Sequence, residues 1–143
     1  MQRGFTVIEL VIIIAIISIL AGLALPAINE TIAKHEILTA ARLLESDIRW
    51  VQQMAMNTTP DTSFPEFKPQ PNKYSVKSGL KLIKSVNLPA GVTLSGPKTL
   101  SFGMNGTPIT DGQALPTTLF LTSKKTSLTR HVVVSSVGRI RIE

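Results

Sequence analysis

GFTVIEL, residues 4–10, opens the apolar part of this chain and decides how the rest is read. Only Met1-Gln2-Arg3 precedes it. From Leu10 to Leu25 no residue is charged, and Ser18 is the only polar side chain. One carboxylate, Glu9, stands at the front of this run. The run from Leu10 to Ile28 approaches the ~20 residues that a helix needs to cross ~30 Å of hydrocarbon. A carboxylate inside such a segment costs about 2–3 kcal/mol near the bilayer centre and less near its edge. Glu9 therefore calls for a partner.

Arg3 and the amino terminus lie on one side of the run, whereas Glu30, Lys34 and Glu36 roughly cancel on the other. This bias keeps the start cytoplasmic and sends the remainder outward. A secretory signal peptide, cut near Ala24 or Ala27, is a poor match, because Glu9 interrupts the apolar region and Pro26 occupies the cleavage zone. A plain one-pass anchor fits the length but leaves Glu9 unexplained. Cleavage after Gly4 is the third reading. It creates a new amine on Phe5, four residues before Glu9 and on the same helix face. The acid can then pair with its own terminus or with that of a neighbouring copy.

These residues carry a resemblance. Gly4-Phe5-Thr6-Val7-Ile8-Glu9-Leu10, after a short basic leader and before an apolar run ending Ala24-Leu25-Pro26, is similar to the amino-terminal segment of type IV pilins and type II secretion pseudopilins. The resemblance implies cleavage between Gly4 and Phe5 by a prepilin peptidase and N-methylation of Phe5. It also implies that Glu9 is the assembly carboxylate and that Pro26 loosens or kinks the helix. The implied partners are other pilin or pseudopilin subunits, the prepilin peptidase and an inner-membrane assembly platform. The implied location is the inner membrane, crossed once with the amino terminus cytoplasmic, and an extracellular or periplasmic filament. No cofactor is implied.

Beyond Pro26, apolar residues Leu38, Ala41, Leu44, Ile48, Val51 and Ala55 recur at steps of three and four, an amphipathic helix. Arg42, Glu45, Asp47 and Arg49 fall largely on its other faces. One rod is expected from about residue 5 to 56, ~75 Å at 1.5 Å per residue. Ser18 and Gly22, four apart, have the spacing that lets membrane helices approach closely, although small residues are common in such helices anyway. Residues 57–78 read as a break, because Pro60, Pro65, Pro69 and Pro71 exclude regular helix. Strands are expected at 81–85, 92–95, 99–102, 118–122, 130–135 and 139–142, with turns at 87–91, 103–106 and 123–129. The fold class is thus α+β: a long amino-terminal helix, membrane-spanning then amphipathic, packed against a small antiparallel β-domain, the pilin fold. The expected segments are a leader 1–4, an assembly helix 5–28, an amphipathic helix 29–56 and a β-rich domain 57–143.

Leu100-Ser101-Phe102-Gly103-Met104-Asn105-Gly106, a Thr-rich strand, Arg130-His131-Val132-Val133-Val134-Ser135 and Gly138-Arg139-Ile140-Arg141 resemble the GspH/FimT group of minor pilins and pseudopilins. That narrower likeness implies a minor pilin of a type IV pilus or, as the alternative, a minor pseudopilin of a type II secretion system.

The chain has 143 residues, a net charge of +6 and no cysteine, which excludes disulfides and thiolate metal sites. From Ala55 onward eleven Lys and Arg face Asp61, Glu66, Asp111 and Glu143, so the basic character belongs to the body. If 139–142 is a strand, Arg139 and Arg141 point one way and Ile140 and Ile142 the other. With Arg130, Lys124 and Lys125, the two arginines form a candidate contact to DNA phosphates. The resemblance adds weight, because FimT-like minor pilins include DNA-binding members of natural transformation machines. An edge strand made soluble by alternating Arg is the plainer explanation. No aromatic interleaves these bases in sequence, so stacking on single-stranded bases is not expected. Catalysis finds no support: His35-Glu36 lacks a second His four residues on, and neither a Gly-x-Ser-x-Gly elbow nor a phosphate loop occurs.

Overall fold

The structure is a computed structural model in which residues 6–59 and 63–143 are described, without side-chain detail at 23–27. Gly4 and Phe5 lie outside the described residues, and so does the side chain of Pro26. One helix, α1 (Val7–Met56), runs for 50 residues. The chain forms two compact units, Met1–Ile32 and Ala33–Glu143.

In the first unit the described large apolar side chains from Val7 to Leu20 are all exposed, from 43% at Ile13 to 80% at Val7. Ser18 is the polar exception, and its hydroxyl donates to the Ile14 carbonyl at 2.8 Å, so the run carries no unmet donor there. A Cβ added at Gly22 would meet nothing within 4 Å. Among the described residues no helix is long and apolar enough to cross a membrane. The described side chains of the apolar run stop at Gly22, short of the ~20 residues required.

The second unit contains the rest of α1 and nine strands: β1 (Pro65–Gln70), β2 (Lys73–Ser78), β3 (Lys81–Asn87), β4 (Val92–Ser95), β5 (Leu100–Phe102), β6 (Pro108–Thr110), β7 (Thr117–Ser123), β8 (Thr129–Val134) and β9 (Ile140–Ile142). They form a five-stranded sheet, β3-β2-β1-β5-β6, and a four-stranded sheet, β4-β7-β8-β9. Every ladder is antiparallel. The fold is therefore α+β and pilin-like, as the sequence implied.

The helix stripe supplies the middle of the core. Ala41, Leu44, Ile48, Val51 and Ala55 are fully buried, as their spacing predicts. At its amino-terminal end the stripe differs from expectation: Leu38 is only half-buried, and Ala33, Ile37 and Ala40 are buried instead. Phe67, Tyr74, Val76, Leu100 and Phe102 join the core from the larger sheet, and Leu94, Leu119, Leu121, Val132 and Val134 from the smaller. Each fully buried Leu or Val contributes roughly 1.5–3 kcal/mol relative to exposure.

Within the segment 57–78, expected to be a break, residues 65–78 are regular. They hold β1 and β2, a hairpin in complete register from Pro65↔Ser78 to Gln70↔Lys73. The prolines exclude helix but not strand. Pro65 is the first residue of β1. Pro69 lies beyond the short β5 ladder, which covers only Glu66 and Phe67, so there β1 has a neighbour on one side alone. At such positions a missing N–H is tolerated. The expectation also lacked β6. The six expected strands all occur, 92–95 with the expected ends and the other five with an end shifted by one or two residues. Arg139 precedes β9 rather than belonging to it.

Candidate functional site

The amino-terminal end of α1 is a capping box. Thr6 precedes the first helical residue. Its backbone N–H and its hydroxyl both donate to Glu9 Oε2 at 3.0 Å, and the Glu9 N–H donates to Thr6 Oγ1 at 3.4 Å. Two otherwise unpaired donors at the helix start are thereby satisfied. The acid also sits where the helix dipole favours negative charge. The Thr6-x-x-Glu9 spacing carries this box in the sequence, beside the pairing of Glu9 with the Phe5 amine of its own chain or of a neighbouring copy. Both roles fit one carboxylate, because the bonds to Thr6 engage Oε2 and Glu9 is an exposed residue.

Asp47 is not on a solvent face, contrary to expectation. It is 5% exposed and links α1 to the five-stranded sheet. The buried Tyr74 hydroxyl donates to Asp47 Oδ2 at 2.7 Å, and Lys84 Nζ pairs with Oδ1 at 2.6 Å. Phe67 packs on the Tyr74 ring at 5.1 Å, and Lys84 lies 5.8 Å from the Trp50 ring centroid. Burial first, then the bond to Asp47, pushes the Tyr74 phenol far above its ordinary range.

Two of the glycine motifs meet. Gln52 Nε2, on α1, donates to the carbonyls of both Gly106 and Gly138 at 2.8 Å. Gly106 (φ +77) and Gly138 (φ +79) are left-handed, and a Cβ on Gly138 would overlap the Gly106 carbonyl oxygen. Only glycine fits that approach. The turns before β6 and before β9 are thereby tied to one helix residue.

The five basic candidates do not form one cluster. Lys124 and Lys125 lie in the β7–β8 turn. The Lys124 N–H donates to the Gly91 carbonyl at 2.8 Å, and Lys125 faces Glu36 at 3.5 Å. Arg130 sits at that same end of β8, opposite Leu121. Arg139 is at the other end, where its N–H donates to Ser135 Oγ and its carbonyl accepts from the Ser135 N–H. Five residues of β8 and its extension, about 17 Å, separate the two groups. Arg141 projects from the outer face of the four-stranded sheet, opposite Val133, and pairs with Glu143 Oε1 at 2.7 Å.

An aromatic pair shares that face. Phe120, 41% exposed, stands directly opposite His131, with ring centroids 4.9 Å apart and edge to face. Spacing along the chain gave no sign of it, because cross-strand register brings the rings together. The outer face of the five-stranded sheet holds a second basic feature. This groove of about 220 Å³ is lined by Lys68, Gln70, Lys73, Ser75, Lys77, Leu82 and Ser85. Five of its seven lining residues lie in the segment 57–78 read as a break. Among the described residues no group of His, Cys, Asp or Glu is arranged to hold a metal ion.

The profile of the prokaryotic N-terminal methylation motif matches residues 1–25. A type IV major pilin protein of Neisseria gonorrhoeae is 35% identical over 107 residues, which span 73% of this chain and 62% of that relative. A fimbrial protein of Moraxella nonliquefaciens is 52% identical over 44 residues, 31% of this chain and 29% of the relative. A type IV major fimbrial protein of Dichelobacter nodosus is 47% identical over 45 residues, 32% of this chain and 28% of the relative. The chain thus spans less than two thirds of the length of these relatives. No solved structure matches.

Proposed function

Because this chain belongs to the type IV pilin family, we propose that it is a minor subunit of a type IV pilus, assembled through its amino-terminal helix. The observation that carries this reading is the head itself. A capped helix presents one carboxylate, Glu9, at the start of a stripe of apolar side chains that its own chain leaves exposed. Such a surface needs lipid before assembly and neighbouring helices after it.

In this reading the prepilin peptidase cuts between Gly4 and Phe5, and the new Phe5 amine is methylated. The Glu9 carboxylate of one subunit then pairs with the Phe5 amine of the next, held in register by the inner-membrane platform during assembly. Pro26 lacks the N–H for its backbone bond and loosens the helix locally. The membrane holds the unassembled subunit, with the body outward. The minor position rests on the GspH/FimT-like motifs of the body. Two of the three relatives named above match less than a third of this chain.

The test is incorporation. Glu9→Ala should leave the chain in the membrane fraction and reduce its presence in sheared filaments at least tenfold. Normal incorporation of the variant overturns the reading. Recovery of the wild-type chain with a secretion complex instead of sheared filaments replaces it with the type II pseudopilin alternative.

Capture of extracellular DNA is the second part of the proposal. Arg139 and Arg141 flank the start of β9, and Arg141 shares its sheet face with the exposed Phe120–His131 pair. This arrangement supports phosphate contact with an aromatic surface beside it. Arg130, Lys124 and Lys125, at the far end of β8, would serve as a separate contact.

A further inference from the structure

We infer that the groove on the outer face of the five-stranded sheet is a binding surface for the phosphodiester backbone of duplex nucleic acid. It is built independently of the carboxy-terminal arginines. The inference takes its partner class from the DNA-capture reading but uses none of the residues on which that reading rests.

The groove follows from strand register. Lys73, Ser75 and Lys77 alternate on one face of β2, while Tyr74 and Val76 point into the core. Lys68 of β1 stands opposite Ser75, and therefore lies diagonally between Lys73 and Lys77. Diagonal neighbours in an antiparallel pair are ~7–8 Å apart. The three lysines thus leave the sheet in a zigzag, within reach of successive phosphates. Ser75, 7% exposed, forms the floor with Ser85, its partner across β3. Gln70, opposite Lys73, adds an amide donor.

Charge balance singles out two of the lysines. Lys68 is in an ion pair with Glu66 at 3.0 Å; Glu66 also stands across from Lys77 in the strand register, but among the described residues neither Lys73 nor Lys77 is in an ion pair. The solubility of an exposed edge does not explain them, because β2 is paired on both sides from Lys73 to Ser78. Every polar side chain lining the groove is a hydrogen-bond donor, and no carboxylate or aromatic ring lines it. The absence of a ring disfavours single strands, which are held by stacking on aromatics. A duplex presents its phosphates outward and needs no ring, and contact of this kind reads no sequence.

The experiment uses the full chain in detergent micelles and a labelled 20-base-pair duplex, with anisotropy recorded across a salt series. Lys73→Gln with Lys77→Gln should weaken binding on the order of tenfold or more near 100 mM salt. It should also lower the slope of log K against log salt by about 2, since each phosphate contact contributes about 0.9. Lys73→Arg with Lys77→Arg keeps the charge and should restore affinity, which separates loss of charge from loss of fold. Absence of wild-type binding, or an unchanged slope in the Gln variant, overturns the inference. So does loss of binding in Arg139→Ala with Arg141→Ala alone, which favours the tail instead. If the Gln variant loses heparin but keeps the duplex, the surface belongs to an acidic polysaccharide and the nucleic-acid assignment fails. Filament incorporation of the Gln variant should equal wild type, so none of these outcomes touches the subunit reading.

Discussion

The two halves of α1 have the same secondary structure but opposite surroundings. From Val7 to Leu20 the large apolar side chains are exposed, whereas Leu44, Ile48 and Val51 are completely buried. Helix formation itself does not distinguish them. What differs is the cover: β-sheets bury one face of the second half, whereas the described large apolar side chains of the first half are exposed. A half that its own chain covers acts in folding, and a half left bare is available for lipid and for other subunits. The same division appears in the two acids Glu9 and Asp47. Glu9 is exposed and, among the described residues, bonded to Thr6, whereas Asp47 is buried with both oxygens bonded within its own domain.

The largest effect expected from this contrast is on assembly. Glu9→Gln keeps a residue type that closes a capping box but removes the charge. If the charge joins subunits, filament content in sheared fractions falls at least tenfold, as it does for Glu9→Ala. If capping is all that Glu9 does, Glu9→Gln assembles normally and Glu9→Ala loses only about 1 kcal/mol of helix stability.

Leu44→Ala and Leu20→Ala compare the halves directly. Loss of the buried side chain should destabilise the body by about 2–5 kcal/mol in chemical unfolding. The exposed counterpart should change the same measurement by less than about 0.5 kcal/mol. Equal effects would mean that the body also covers the first half.

Glycines make a smaller contrast. Gly138→Ala forces a Cβ into the Gly106 carbonyl at a left-handed φ and should lower stability by at least ~1–2 kcal/mol. Gly22→Ala meets open space and should be neutral, or favour helix by up to about 1 kcal/mol, in thermal melts followed by circular dichroism.

The smallest effect is a pH dependence confined to the body. In the folded chain the Tyr74 phenol is held protonated well above its ordinary value of 10. Its contribution is fully present below about pH 10 and is lost above it, because the unfolded chain then releases a proton that the folded chain retains. The urea midpoint should fall between pH 9 and 12, and fall less steeply in Tyr74→Phe. Tyr74→Phe also removes one bond to Asp47, about 0.5–1.5 kcal/mol at neutral pH. Parallel curves for the two proteins would remove Tyr74 from this dependence.

The elements legible in sequence were those with local signals. The helix stripe around Leu44, Ile48 and Val51 shows a period near 3.6. The strands at 92–95 and 118–122 are short β-branched or apolar runs between turn residues. Glu9 stands out because a lone carboxylate in an apolar run has few explanations. The prolines hid β1 and β2, because whether a missing N–H matters depends on which neighbours flank a strand, and one chain segment does not state that. Asp47 was hidden for a similar reason. Its position along the helix suggested a solvent face, and only Tyr74 and Lys84, brought in from β2 and β3, make burial of its charge affordable.

The sequence by itself determined the head: an apolar helix with a capped, charged start at Thr6 and Glu9, and a second half with one face prepared for a core. These are properties of neighbours within one or two turns, so local chemistry suffices. Only the tertiary structure decided which basic residues share a surface. It set Lys68 between Lys73 and Lys77, placed Phe120 against His131, separated Arg130 from Arg139, and joined Gly106 to Gly138 through Gln52. Each of these depends on strand register and sheet order. Those are fixed by the packing of the whole domain around one half of α1, not by any stretch of chain alone.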